Sequence, residues 1–259
     1  YVTRHGWPLL SHLDPRQWYA ERQYAFHGTR LSEGTGAVYR VPVEAKGHRR
    51  DFVVKFSRFA QKVPLHVQST FSGSISDSDA LAARFLDPFA EFGLVMDLRR
   101  GRFGPEDLRI LTKRPLAIYR TGGTVSARQL GRSRSRFNFG SFRLAEDQAT
   151  VEGRHVNLQI DHEYVVLFQW VRGENAGFFS RLGIIEETEV EALTRRVADE
   201  IAAKGFRVLD HKPQHVILRQ TRRGDLLRRH GKLVYALVDF ELMARTPEYE
   251  RFLLNRKSA

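Results

Sequence analysis

The sequence predicts a mixed α+β chain in two lobes, the first built from antiparallel strands and the second smaller and helical. Three observations carry that expectation. The alternation of Val38, Arg40 and Val43 marks one strand, and Asp51-Phe52-Val53-Val54-Lys55-Phe56 marks a second, across a turn at Lys46-Gly47-His48. Tyr164–Val171 is the most apolar strand candidate, and it ends in Arg172-Gly173-Glu174-Asn175, where the glycine lets the chain cross to a second lobe. Glu186–Lys204 then sets Leu193, Val197 and Ile201 on one helical face, with Gly205 as its stop.

Composition narrows the function classes. A chain of 259 residues, 42% hydrophobic and 28% charged, buries a substantial core and fits one two-lobed domain or two small ones. No run of about 18 apolar residues is present, so no transmembrane helix is expected. The absence of cysteine excludes a disulfide scaffold, thiol catalysis and Cys-ligated zinc, and it suits a reducing cytoplasm, the expected location. The first residues, Y-V-T-R-H-G-W-P, carry no signal pattern and no initiator Met, as in a segment that starts inside a longer protein.

The net charge of +12 favours anionic partners, with local density at Arg132, Arg134 and Arg136 and at Arg222, Arg223, Arg228 and Arg229. No RNA-binding aromatic motif, zinc finger or oligonucleotide-binding barrel pattern accompanies it.

Taken in order, residues 1–25 mix Trp7, Trp18 and Tyr24 with polar residues, and Leu13-Asp14-Pro15 starts a short helix. They are expected to pack as a flanking segment on the first sheet. The first lobe is expected over 26–172. Within it, 61–79 reads as loop, and Ser78 or Asp79 caps a helix over Ala80–Leu86 that Pro88 interrupts. Phe89, Phe92, Val95 and Met96 follow at helical spacing, with Glu91 among them. Leu108–Leu111 and Pro115–Tyr119 read as strands, Thr121-Gly122-Gly123 as a turn, and 124–150 as a surface insertion without clear period. The second lobe is expected over 173–259. There His215–Leu218 and Leu233–Val238 form a strand pair across a basic turn, and Pro247 with Glu248 opens a last helix.

Two stretches carry chemistry. Val208–Arg219 packs Asp210, Lys212 and His215 into six positions before an apolar run, a density that suits a loop handling phosphate. Lys55 sits in an apolar strand between Val54 and Phe56, where an ammonium without a partner is costly. It follows Gly36 by 19 residues, a spacing that suits a glycine-rich loop covering phosphates while the lysine reaches them from the next strand.

In sequence order these pieces resemble the protein-kinase-like superfamily over most of Glu33–Glu241. Gly34-Thr35-Gly36-Ala37-Val38-Tyr39 resembles the glycine-rich loop, without its third glycine, and Val53-Val54-Lys55 resembles the lysine strand. Asp210-His211-Lys212-Pro213-Gln214-His215 resembles the catalytic loop, and Val238-Asp239-Phe240-Glu241 resembles the metal-binding motif with its glycine replaced.

The resemblance implies a two-lobed kinase-like fold that binds ATP with Mg²⁺ or Mn²⁺. The Gly34, Thr35 and Gly36 amides would cradle phosphates, and Lys55 would pair with the α- and β-phosphates, held by the carboxylate of Glu91. Asp210 would orient the acceptor hydroxyl, Lys212 would neutralise the phosphoryl group in transfer, and Asp239 would hold the metal. Glu174 or Asn175 could touch the ribose.

The departures bear on activity. His215 stands where the family has a metal-binding Asn, and imidazole suits Mn²⁺ better than Mg²⁺. Val208 and Leu209 replace the His-Arg that precedes the catalytic Asp, and only 20 residues follow Asp239, so the second lobe is abbreviated. The expected function is therefore an atypical kinase acting on a hydroxyl of a small molecule, lipid, sugar or protein. The alternatives are a pseudokinase that binds nucleotide or serves as a scaffold, and an RNA-associated binder resting on charge alone.

Overall fold

The computed structural model describes residues 1–31, 37–59, 61, 63, 83–124, 143, 149–151, 154–159 and 161–257. Among these residues the chain is mixed α+β, with six α-helices and strand ladders that are all antiparallel. It divides into two compact units. The first gathers the described parts of Tyr1–Val63, Arg84–Gly93 and Lys113–Trp170, and the second Leu94–Thr112 and the chain from Val171 onward.

The first unit contains α1 (Pro15–Trp18), α2 (Gln23–Phe26), β1 (Thr29–Arg30), β2 (Val38–Ala45), β3 (His48–Phe56), the start of α3 (Pro88–Arg100), β4 (Pro115–Arg120), β5 (Thr150–Val151), β6 (Arg154–His155) and β7 (Tyr164–Gln169). Five strands form one sheet in the order β1-β2-β3-β7-β4. The β2–β3 hairpin closes on Lys46 and Gly47, both at positive φ (53° and 73°), the two-residue turn whose twist matches the flanking strands.

Strand alternation sends side chains to both sheet faces. On one face Val53, Val166, Phe168 and Ile118 pack with Phe92 of α3 and with Phe59, Leu158 and Ala149. On the other, Val41, Phe52, Val54, Leu116, Val165 and Leu167 pack against Leu13 and Trp18 of the N-terminal segment. The flanking segment does lie on the first sheet: Asp14 caps α1 through the Arg16 amide, and the Trp18 indole donates to the Leu13 carbonyl at 3.2 Å. All three tryptophans, Trp7, Trp18 and Trp170, belong to this unit.

The second unit holds β8 (Glu174–Asn175), α4 (Ala176–Arg181), α5 (Glu187–Ala203), β9 (Phe206–Val208), β10 (Val216–Leu218), β11 (Arg228–Arg229), β12 (Lys232–Leu233), β13 (Tyr235–Leu237), β14 (Met243–Arg245) and α6 (Pro247–Lys257). The strands pair as β13-β10-β8, β14-β9 and β11-β12. Helix α5 buries Val190, Leu193, Thr194, Val197 and Ile201, the face its spacing predicts. Gly173 enters this unit at φ +130°, and a Cβ there would stand 2.1 Å from the Leu218 carbonyl oxygen, so only glycine fits. Lys204 is a buried residue whose ammonium donates to the carbonyls of Gly101 and Pro105, at 3.3 and 2.9 Å.

Three sequence expectations are corrected. Residues 83–87 are not helical; Asp87 instead caps α3, accepting from the Phe89 and Ala90 amides at 2.8 and 3.0 Å, so Pro88 starts a helix rather than breaking one. Leu108–Leu111 is not a strand, because its neighbourhood makes one bridge, Thr112 to Leu237, rather than a ladder. At the end of the expected surface insertion, Ala149 is fully buried in the sheet–helix core. Ser78, Asp79, most of 124–150 and Arg132, Arg134 and Arg136 lie outside the described residues.

Trp18 is 1% exposed, and its ring meets Tyr19 and Tyr119 edge-on. Trp18→Ala is expected to destabilise the first unit by about 3–5 kcal/mol. Urea unfolding should show this as a lowered midpoint; an unchanged midpoint would mean the N-terminal segment contributes nothing to the sheet.

Candidate functional site

Lys55 lies at the end of β3, opposite Val38 of β2 and Val166 of β7. By alternation it shares a face with Val53, the face that α3 covers. Its side chain is only 7% exposed, so the ammonium is largely withdrawn from solvent. Glu91, in the first turn of α3, is 3% exposed and brings Oε1 to 3.3 Å from Lys55 Nζ. A helix start favours a carboxylate, which complements the positive end of the helix dipole. The strand lysine and helix glutamate expected to pair do so, across 36 residues of sequence.

A third member was not expected. Lys113, just before β4, is 3% exposed and places Nζ 3.5 Å from the same Glu91 oxygen. Its ammonium also lies 3.7 Å from the centroid of the Phe168 ring, within cation–π range. The segment Thr112-Lys113-Arg114-Pro115 gives no sign of this, since two adjacent basic residues before a strand normally point to water. Gly34, Thr35 and Gly36 lie outside the described residues.

The second unit assembles the remaining candidates. Between β9 and β10 the chain runs through Asp210, Lys212 and a single 3₁₀ turn, Pro213–His215. Lys212 Nζ donates to Asp210 Oδ2 at 2.9 Å, with both side chains part-exposed. His215 Nε2 stands 3.4 Å from Asp239 Oδ2, and the Val238 amide donates to the His215 carbonyl at 3.1 Å, which fixes the two segments side by side. The Glu241 amide reaches back to Asp239 Oδ1 at 3.4 Å. The expected loop and metal-binding residues thus meet in two contacts, Lys212 on Asp210 and His215 beside Asp239. Burial is the largest influence on the His215 imidazole and lowers its pKa; Asp239 opposes it.

His211 is the residue that holds this loop. It is 3% exposed, and its Nε2 sits 3.0 Å from the Thr194 carbonyl on α5. A carbonyl only accepts, so Nε2 carries the hydrogen. Among the described residues, Nδ1 of His211 is buried without a hydrogen-bond partner, as is Nδ1 of His215. Burial lowers the His211 pKa, more than the Thr194 hydrogen bond raises it. In sequence His211 lies inside the motif with no task of its own; its partner lies 17 residues upstream on a helix, beyond any local pattern.

Glu174 is exposed in β8, opposite Leu218. The Asn175 side chain caps α4, accepting from the Phe178 amide at 2.8 Å. Arg222, Arg223, Arg228 and Arg229 are exposed, the last two on the β11–β12 hairpin, where Arg228 also pairs with Glu189 at 2.7 Å.

A divalent cation can be tested against these donors. Two ligands set at right angles on Mg²⁺, each at about 2.1 Å, stand about 3.0 Å apart. The 3.4 Å between His215 Nε2 and Asp239 Oδ2 is near that span, so the pair could hold one cation if His215 carried its hydrogen on Nδ1. Among the described residues no group of three or more His, Asp or Glu could hold a metal. Water and ligand oxygens would have to complete the shell, as they commonly do around Mg²⁺.

The imidazoles set a pH dependence. For His211 and His215 the folded pKa lies below the ordinary 6.5, so the unfolded chain binds more protons as pH falls past that value. Stability is present in full above about pH 6.5 and is lost as pH falls toward the folded pKa values. Melting temperatures measured from pH 7.5 to 5 should decline below about 6.5, and His211→Gln should flatten the decline. An equal slope in that variant would remove His211 from the account.

No protein-family model matches the chain, and no curated protein matches it at a significant level.

Proposed function

We propose that the chain is an atypical ATP-dependent kinase that transfers the γ-phosphoryl group to a hydroxyl of a small molecule, lipid, sugar or protein. The observation that carries this reading is the buried Lys55–Glu91 pair. A strand lysine in an apolar layer, held by a carboxylate from a helix start, is the arrangement that fixes a cation for nucleotide phosphates. The clustering of Asp210, Lys212, His215 and Asp239 in the second unit supports it.

In this reading Lys55 neutralises the α- and β-phosphates. Asp210 accepts the acceptor's hydroxyl proton while that oxygen bonds to the γ-phosphorus and the bond to the β-phosphate oxygen breaks, releasing ADP. Lys212, which tethers Asp210 at 2.9 Å, turns to the charge on the phosphoryl group in transfer. A Mg²⁺ or Mn²⁺ ion bound at Asp239, with His215 beside it, would neutralise phosphate charge. His211 holds the loop to α5, which keeps Asp210 in place without touching the substrate.

One observation favours a second reading, a nucleotide-binding module without turnover. The Asp210 carboxylate and Lys212 ammonium already satisfy each other, and His215 supplies an imidazole where the resemblance calls for an amide.

Purified chain with ATP and Mg²⁺ or Mn²⁺ should release ADP in the presence of an acceptor, and Asp210→Asn should slow release by about 10²–10⁴-fold. Nucleotide at 100 times its Kd should stabilise the chain by about 2.7 kcal/mol. Stabilisation without ADP release selects the binding module. Neither effect with either metal sinks the nucleotide reading altogether.

A further inference from the structure

Lys113 is a buried cation to which the proposed chemistry gives no task. Among the described residues the Glu91 carboxylate meets two ammoniums, and both approach the same oxygen, at 3.3 Å from Lys55 and 3.5 Å from Lys113. All three side chains are 7% exposed or less. A carboxylate in such a layer, once left without a cation, is strongly disfavoured. That creates a conflict for Lys55: if its ammonium turns to an incoming phosphate, Glu91 loses a partner.

We propose that Lys113 is a positioning residue that keeps Glu91 paired while Lys55 engages an anion. The inference rests on the kinase reading above. Among the described residues, two contacts hold Lys113 for this. Its ammonium lies over the Phe168 ring at 3.7 Å, and Phe168 packs its ring against Phe92 of α3 at 4.9 Å, one residue from Glu91. The backbone beside it is pinned to β7, where the Gln169 amide donates to the Arg114 carbonyl at 2.9 Å. Lys113 is thus tied to the sheet and, through Glu91, to the start of α3. In the kinase reading Lys55, extending from the end of β3, is the cation that turns to the anion.

The consequence is thermodynamic and can be isolated. In a chain with Lys113, moving Lys55 from Glu91 to a phosphate leaves one Lys–Glu pair in place. In a chain without it, the same movement strands a buried carboxylate, so anion binding weakens although Lys113 touches no ligand. Neutralising Glu91 removes the dependence, because no carboxylate remains to be stranded.

The experiment is a double-mutant cycle on the full chain, with inorganic tripolyphosphate and ATP, each with Mn²⁺, as calorimetric probes and melting temperature as the folding check. Lys113→Met should weaken both probes at least tenfold, a loss of about 1.4 kcal/mol or more. Lys113→Arg should bind within about threefold of wild type, since a guanidinium keeps the charge and stacks on the Phe168 ring. In a Glu91→Gln background Lys113→Met should change affinity little, a non-additivity that generic loosening of the core would not produce.

Wild-type affinity in Lys113→Met, or an undiminished loss in the Glu91→Gln background, overturns the proposal and leaves the kinase reading standing. If Glu91→Gln does not fold, the Arg and Met variants decide it: an Arg variant as weak as the Met one overturns it. Wild-type chain that binds neither probe overturns the kinase reading, and this inference with it.

Discussion

Two lysines share one carboxylate in a buried layer, and the first unit is arranged to make that tolerable. Burying an ion without a partner costs several kcal/mol, and breaking a buried pair by removing one member costs about 3–5 kcal/mol. Glu91 therefore needs α3 to start where it does, which depends on Asp87 capping the helix and Pro88 opening it. Lys55 needs β3 registered so that it faces the helix rather than the N-terminal segment. A slip of one residue would send Lys55 to the face that Trp18 occupies and bring apolar side chains against Glu91. The register is held between β2 and β7, on which β3 pairs along both edges.

Much of this was legible in the sequence, and the reason is local. Lys55 announces itself by its flanking valine and phenylalanine, and Glu91 by its place among Phe89, Phe92 and Val95. Helix α5 and the β2–β3 turn follow from periodicity and from Gly47. What was not legible depends on contacts distant in sequence. Lys113 reads as one of many solvated cations in a chain with 42 Lys and Arg, and only the fold reveals Phe168 beneath it and Glu91 beside it. His211 is hidden in the same way, because its use is set by a helix carbonyl. The start of α3 is hard to see in the sequence because Pro88 looks like a breaker, although the first helical turn tolerates a proline.

The second unit follows a different logic. Its polar residues are held by short ladders and backbone contacts rather than by a buried ionic centre. β10 is the central strand of the β13–β10–β8 sheet with His215 immediately before it, and the amide of Val238 ties His215 to the segment that carries Asp239. Part-exposed Asp210 and Lys212 neutralise each other in a setting where solvent screens them, so their contact is worth far less than the Glu91 contacts. Rearranging that side-chain pair asks little, whereas leaving Glu91 without a cation asks much. The Glu91–Lys113 contact reads as fixed equipment, and the Asp210 and Lys212 side chains as the adjustable part of a loop that His211 anchors.

The placement of the tryptophans has a spectroscopic consequence. Trp7, Trp18 and Trp170 all belong to the first unit, so intrinsic indole emission reports on that unit alone, whereas far-ultraviolet circular dichroism also sees α5 and α6 of the second. The two signals superimpose on one unfolding curve only when both units melt as a single cooperative block. A gap between them measures how far each unit stands on its own, with no label added to the chain.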